Sequence, residues 1–161
     1  MKKTILVCAA ALALLASCKK SSTSGPSSTI PASGWKLGST SYTTAYAGRT
    51  GANSLSAMDA IPSGSSPNTN TMNAFFATLP TTGGTYRIVA WPATTPLTAG
   101  QVGLTTGLYA TSTTYRSTGT DAVDATVTVT GGKIKIEVPE VWVKTTTGTD
   151  SAKLTGTITE Q

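Results

Sequence analysis

The feature that most constrains this chain is an unbroken two-residue alternation. Val123, Ala125, Val127 and Val129 are separated by Asp124, Thr126 and Thr128, and Thr130 follows. A period of two over this length predicts a strand with one face buried and one wet. Gly131-Gly132 comes next, two residues that take positive φ without steric cost, so a tight hairpin is expected. The return run places Ile134, Ile136 and Val138 on one face and Lys133, Lys135 and Glu137 on the other. Beyond Pro139 the apolar positions are Val141 and Val143, so the parity flips from even to odd. One inserted residue does this, which predicts a β-bulge or bend at Pro139-Glu140. Thr147-Gly148-Thr149-Asp150 reads as a turn, and Ala152, Leu154, Gly156 and Ile158 alternate with Lys153, Thr155, Thr157 and Thr159 in a last strand. The three strands form a meander.

Upstream the pattern is weaker but of the same kind. Trp35–Leu37 and Tyr42–Tyr46 read as a hairpin around Gly38-Ser39, and Leu55–Ile61, Met72–Leu79 and Thr85–Trp91 as further strands. Gln101–Tyr109 and Thr113–Ser117 complete the set, separated by loops rich in Pro, Gly, Ser and Asn. After residue 17 the best helical candidate, Thr71–Thr78, also reads as a strand. Threonine is the signature residue, 33 of 161, and charged residues are only 12%. A β-branched, hydroxylated side chain suits the wet face of a pleated sheet. The expected fold is therefore all-β, an antiparallel β-sandwich of about eight to ten short strands, with a closed β-barrel as the alternative.

The N-terminus carries a different signal. Lys2 and Lys3 precede an apolar run from Ile5 to Ala16. That run is shorter than the roughly 20 residues a membrane-spanning helix needs, and it fits the apolar region of a secretion signal. Leu15-Ala16-Ser17-Cys18 resembles the lipobox of bacterial lipoproteins. The resemblance implies removal of residues 1–17 and attachment of a diacylglycerol to Cys18. A buried core helix over residues 4–17 is the alternative, but such a helix does not normally end in SCKKSSTSGPSS. Residues 18–33 are rich in Ser, Thr, Gly and Pro and read as a flexible tether, leaving 34–161 as the sandwich domain. Taken whole, the chain resembles the small outer-membrane lipoproteins of Bacteroidota. The residues that carry the likeness are the SCKK junction, the tether, Gly84-Thr85-Tyr86, TVTVTGGKIKIEV and the closing LTGTITE. That group often has acidic residues after the lipidated cysteine on proteins displayed at the surface. Here Lys19, Lys20, Ser21 and Ser22 stand there, so the periplasmic face and the cell surface both remain open.

Chemistry is read mostly by elimination. The chain has no histidine, and its two cysteines are Cys8 in the signal and Cys18. Triads built on histidine, and thiol catalysis or a thiol zinc site in the domain, are thereby excluded. Ser33 and Lys36 have the spacing of a serine–lysine pair but straddle tether and first strand, not a helix start. Asp121 and Asp124 form a candidate Ca²⁺ pair whose alternative is a solvated turn. Glu137 and Glu140, with Lys135 and Lys144, read as a charged sheet face. No cofactor is expected beyond the covalent lipid. Removing Lys2 and Lys3 lowers the formal charge of +5 to +3, and no basic run is interleaved with aromatics, so nucleic acid is not an expected partner.

Aromatics give the positive indication. Trp142 shares the post-bulge parity of Glu140 and Lys144, so its indole should face outward as a stacking platform for a sugar, unless a loop covers it. Tyr109 and Tyr115 are candidate members of the same binding rim, while Trp35 and Trp91 are assigned to the core or to a sealed edge. The expected function is a non-enzymatic, lipid-anchored binding or interaction module of the cell envelope. Its partners would be the membrane, reached through the lipid, and a glycan or an envelope protein. The alternatives are a structural or adhesion subunit that pairs through exposed strand edges, and a barrel that carries a small apolar ligand.

Overall fold

A computed structural model describes residues 29–62 and 68–161. The signal segment 1–17, Cys18 and the tether as far as residue 28 lie outside the described residues. The eleven strands are β1 (Gly34–Leu37), β2 (Thr40–Tyr42), β3 (Tyr46–Gly51), β4 (Ser54–Met58), β5 (Thr71–Phe76), β6 (Gly84–Val89), β7 (Gln101–Leu108), β8 (Thr113–Ser117), β9 (Asp124–Thr130), β10 (Lys133–Thr145) and β11 (Ser151–Thr159). They form one hydrogen-bonded sheet in the order β2-β1-β11-β10-β9-β6-β7-β5-β4-β3, with β8 joining β10 to β7. The sheet folds over on itself, so that β11 packs against β3 and β4. The result is a β-sandwich with a front layer, β2-β1-β11-β10-β9, and a back layer, β6-β7-β5-β4-β3. No helix occurs among the described residues.

The C-terminal meander forms as its alternation predicts. Ala125 and Val127 of β9 and Ile134, Ile136 and Val138 of β10 are buried in the core, and Gly131 and Gly132 both take positive φ (59° and 79°) in the turn between them. Between Val138 and Val141 the register shifts: Val138 pairs with Gly156 and Val141 with Leu154, three residues on β10 against two on β11. Val141 and Val143 thereby stay in the core. The bulge also bends β10 enough to change its other neighbour, from β9 at residues 133–137 to β8 at residues 143–145.

Two features depart from the expected pattern. The sandwich is not purely antiparallel, because β6 and β7 run parallel with Val89 opposite Gly103. A parallel pair requires a crossover rather than a turn, and residues 90–100 supply it. In β11, Thr155 and Thr157 are buried although they point away from the core. Thr157 donates its hydroxyl to the Pro31 carbonyl at 2.6 Å, and Thr155 donates to the Val138 carbonyl at 2.9 Å, beside the bulge. The incoming chain at residues 29–31 thus lies across the outer face of β11.

The interior is filled. Trp35, Phe76, Leu55, Met72, Leu104 and Leu154 are among its fully buried side chains, and each large apolar side chain withdrawn from water contributes roughly 1.5–3 kcal/mol. Trp35 stacks on Tyr42 with ring centroids 5.1 Å apart and lies across Gly156. A Cβ on Gly156 would sit 2.5 Å from the Trp35 Cβ and 2.9 Å from the Gly34 carbonyl oxygen. Glycine is required there by closeness of approach.

The layers are laced at their free edge by the chain's last residues. Gln161 donates its amide to Ala47 of β3 at 3.1 Å, and Glu160 donates its own to Ile134 of β10 at 2.9 Å. The Glu160 carboxylate accepts from Arg49 Nε at 2.7 Å and from the Ile134 amide at 2.9 Å. Burial by itself would raise this carboxyl, but the Arg49 hydrogen bond, the Ile134 amide and nearby positive charge hold it below the ordinary glutamate value.

Two outcomes follow. Gly156→Val should lower stability by about 1–3 kcal/mol, the usual cost of overpacking, read as a fall in the urea midpoint at unchanged slope. A carboxyl whose folded pKa is depressed stabilises the fold above its unfolded pKa and loses that contribution as pH falls through the folded value. The urea midpoint should therefore drop as pH is lowered below the ordinary glutamate range, and Glu160→Gln should flatten that dependence.

Candidate functional site

The β6–β7 crossover builds the main concavity. On leaving β6 the chain turns outward at Ala90 and returns along the outer face of the back layer, where Trp91 settles over Gly103. A Cβ on Gly103 would lie 2.4 Å from the indole Cε3, so the absence of a side chain on β7 makes the seat. The ring also stacks on Phe75 of β5, with centroids 4.7 Å apart and 10° between planes. Beside this aromatic pair opens a cleft of about 460 Å³, lined by Trp91, Pro92, Leu97 and Phe76 together with Asn53, Thr94 and Thr95. A smaller hollow of about 140 Å³ lies at the other end of the same loop, where Tyr86, Gln101 and Thr81 meet.

No charged side chain lines either hollow. Beyond the hollows the outer face of the back layer is mainly polar, with Arg87 of β6 paired to Asp124 of β9. Ser56, Asn73 and Thr105 stand opposite one another on β4, β5 and β7. Ser56 donates to Asn73 Oδ1, and Asn73 Nδ2 donates to Thr105 Oγ1 at 3.0 Å. Arg116 of β8, opposite Thr105, marks the border. An indole, two prolines, an amide and hydroxyls can stack on and hydrogen-bond to a neutral ligand. They offer no group for proton transfer near neutral pH.

The residues singled out in the sequence do not converge. Trp142 faces outward as expected, 40% exposed, on the front layer; Lys153 Nζ lies 4.6 Å from its ring centroid. Tyr109 is exposed in the turn after β7, its amide donating to Asn70 Oδ1 at 2.9 Å. Tyr115 is no rim residue: it is only 8% exposed, and its hydroxyl donates to Asp150 Oδ2 at 2.5 Å. That hydrogen bond, then burial, raises its pKa. Tyr42 is also raised, by burial and then by Asp59.

Asp121 and Asp124 take separate partners. Asp121 accepts from the Trp142 amide at 2.5 Å, and Asp124 pairs with Arg87 at 2.7 Å. Among the described residues no three His, Cys, Asp or Glu side chains gather as metal ligands would. Glu137 pairs with Lys135 at 2.8 Å and Glu140 with Lys153 at 3.3 Å, both on the outer face. Ser33 is exposed ahead of β1, which carries Lys36.

Sequence reasoning assigned Trp91 to the core or to a sealed edge, whereas it is half-buried on the outside of the back layer and lines the cleft. The signal was Gly103 itself. A glycine inside a strand marks a place where something approaches closely, and here that is the indole. The chain matches no family model, and no curated protein or solved structure resembles it significantly.

Gly103→Val should unseat the indole. The expected result is a red shift in tryptophan emission with a loss of about 1–3 kcal/mol in stability, whereas Trp91→Phe in the same background should abolish the shift.

Proposed function

We propose that this protein is a lipid-anchored, non-catalytic binding module of the cell envelope that holds a neutral carbohydrate in the cleft beside Trp91. The observation that carries the reading is the lining of that cleft: an indole face, two prolines, Asn53 and two threonine hydroxyls, with no charged group. Sugar rings present apolar C–H faces and a rim of hydroxyls, which such a lining complements. A volume of about 460 Å³ falls within the range of small-molecule sites and suits a mono- or disaccharide. The anchor is inferred from the resemblance of Leu15–Cys18 to a lipobox, and the location that goes with that inference is the outer membrane, on its periplasmic face or at the cell surface. The absence of histidine from the chain supports a binding rather than a catalytic role.

The test is a titration of neutral oligosaccharides read by tryptophan fluorescence and calorimetry. Saturable binding is expected, with Trp91→Ala weakening it at least tenfold, as loss of about 1.4 kcal/mol would do, and Trp142→Ala leaving it unchanged. A panel of envelope and host glycans that gives no saturable response sinks the carbohydrate reading.

A further inference from the structure

The two outer faces of the sandwich differ in their lysines. All five lysines among the described residues, Lys36, Lys133, Lys135, Lys144 and Lys153, belong to β1, β10 and β11 of the front layer. Each falls on the outward parity. Lys36 lies between buried Trp35 and Leu37, Lys133 and Lys135 flank buried Ile134, Lys144 follows buried Val143, and Lys153 pairs with Trp142. Glu137 and Glu140 offset Lys135 and Lys153. Lys36, Lys133 and Lys144 have no ion-pair partner among the described residues. Trp142, the most exposed of the three tryptophans, stands two residues from Lys144 on β10 and opposite Lys153 on β11, with Lys133 at the far end of β10.

The chain also arrives on this face. The Pro31 carbonyl is held by Thr157, and Thr29 borders a hollow of about 300 Å³ with Lys36, Glu140 and Lys153. Thr29 stands eleven positions after Cys18, a span of at most about 40 Å when extended. Lys19 and Lys20 add two positive charges beside the lipid.

We infer that the front face docks on the anionic phospholipid surface to which the chain is anchored, with Trp142 at the headgroup level. The inference rests on the lipoprotein reading, since the anchor brings that surface within reach. Unpaired lysines are attracted to anionic headgroups, and an exposed indole beside Lys144 and Lys153 has the composition of a membrane–water interface. The lipid confines the domain near the membrane; the lysine face fixes which side turns toward it. The back face, with the uncharged Trp91 cleft, is then presented away from the bilayer. An anionic glycan could satisfy the same charges, and the experiment separates the two.

The mature protein is reconstituted on vesicles of phosphatidylcholine, alone or mixed with phosphatidylglycerol, carrying a brominated lipid that quenches tryptophan at short range. The Trp142 signal is taken as wild type minus Trp142→Phe. Quenching is expected on the anionic vesicles and not on the neutral ones, and it should fall as salt rises. Lys36→Gln/Lys133→Gln/Lys144→Gln should weaken docking roughly fivefold per lysine removed while leaving the unfolding midpoint in place. Equal quenching on both vesicle types, quenching that survives the triple substitution, or its absence on anionic vesicles would each overturn the inference. So would loss of quenching to a soluble anionic polysaccharide at equal charge concentration. Flotation with neutral vesicles and the mass of the Cys18 peptide report the anchor separately. A chain that fails both has lost the lipoprotein reading, and its front face is then judged by direct binding to the anionic vesicles, where none overturns the proposal.

Discussion

The bulge at Pro139-Glu140 governs how the sandwich is put together. A strand as long as β10, 13 residues, could keep one partner along each edge and would then give a flat sheet. Here one extra residue opposite β11 reverses the side-chain parity and increases the local twist. β10 thereby continues past the end of β9 and takes up β8, which also pairs with β7 of the other layer. Ser117, at the end of β8, fastens that junction: its hydroxyl donates to the Val89 carbonyl at 2.6 Å and accepts from the Leu104 amide at 3.1 Å. Both layers depend on where β10 bends.

Much of this was legible in the sequence, because a residue's side in a strand is a matter of counting. The alternation through β9 and β10, the Gly131-Gly132 turn and the parity reversal at Pro139 follow from a period of two and a single insertion. The same counting placed Trp142 outside. Long-range pairing is not encoded by local pattern. β6 alternates much as an antiparallel strand would, and its parallel union with β7 is set by which strands meet across the sandwich. Tyr115 lies in an irregular stretch whose parity could not be counted, so only the fold showed its ring turned inward and its hydroxyl given to Asp150. Thr155 and Thr157 read as wet-face residues, and they are buried with their hydroxyls given to the Val138 carbonyl beside the bulge and to Pro31 of the incoming chain.

The candidate site illustrates the same division. Trp91 and Gly103 are twelve residues apart in sequence and meet because the crossover folds back onto β7. Neither residue on its own signals a cleft. The placing of the lysines, by contrast, is partly visible beforehand: once the parity of β10 and β11 is known, their lysines fall on one face. The result is a small domain with two unlike outer surfaces, one holding an uncharged cleft beside an aromatic pair, the other bearing the lysines and adjoining the chain's N-terminal approach.

Deleting Glu140 tests the structural claim behind all of this most directly. The deletion removes the extra residue and puts Trp142 and Lys144 where Val141 and Val143 now pack, turning a charge and a large ring toward the core. Cooperative urea unfolding, followed by far-ultraviolet circular dichroism and tryptophan emission together, should be lost or its midpoint lowered severely. A wild-type midpoint and slope after the deletion would contradict the account, because β10 would then hold its place without the bulge.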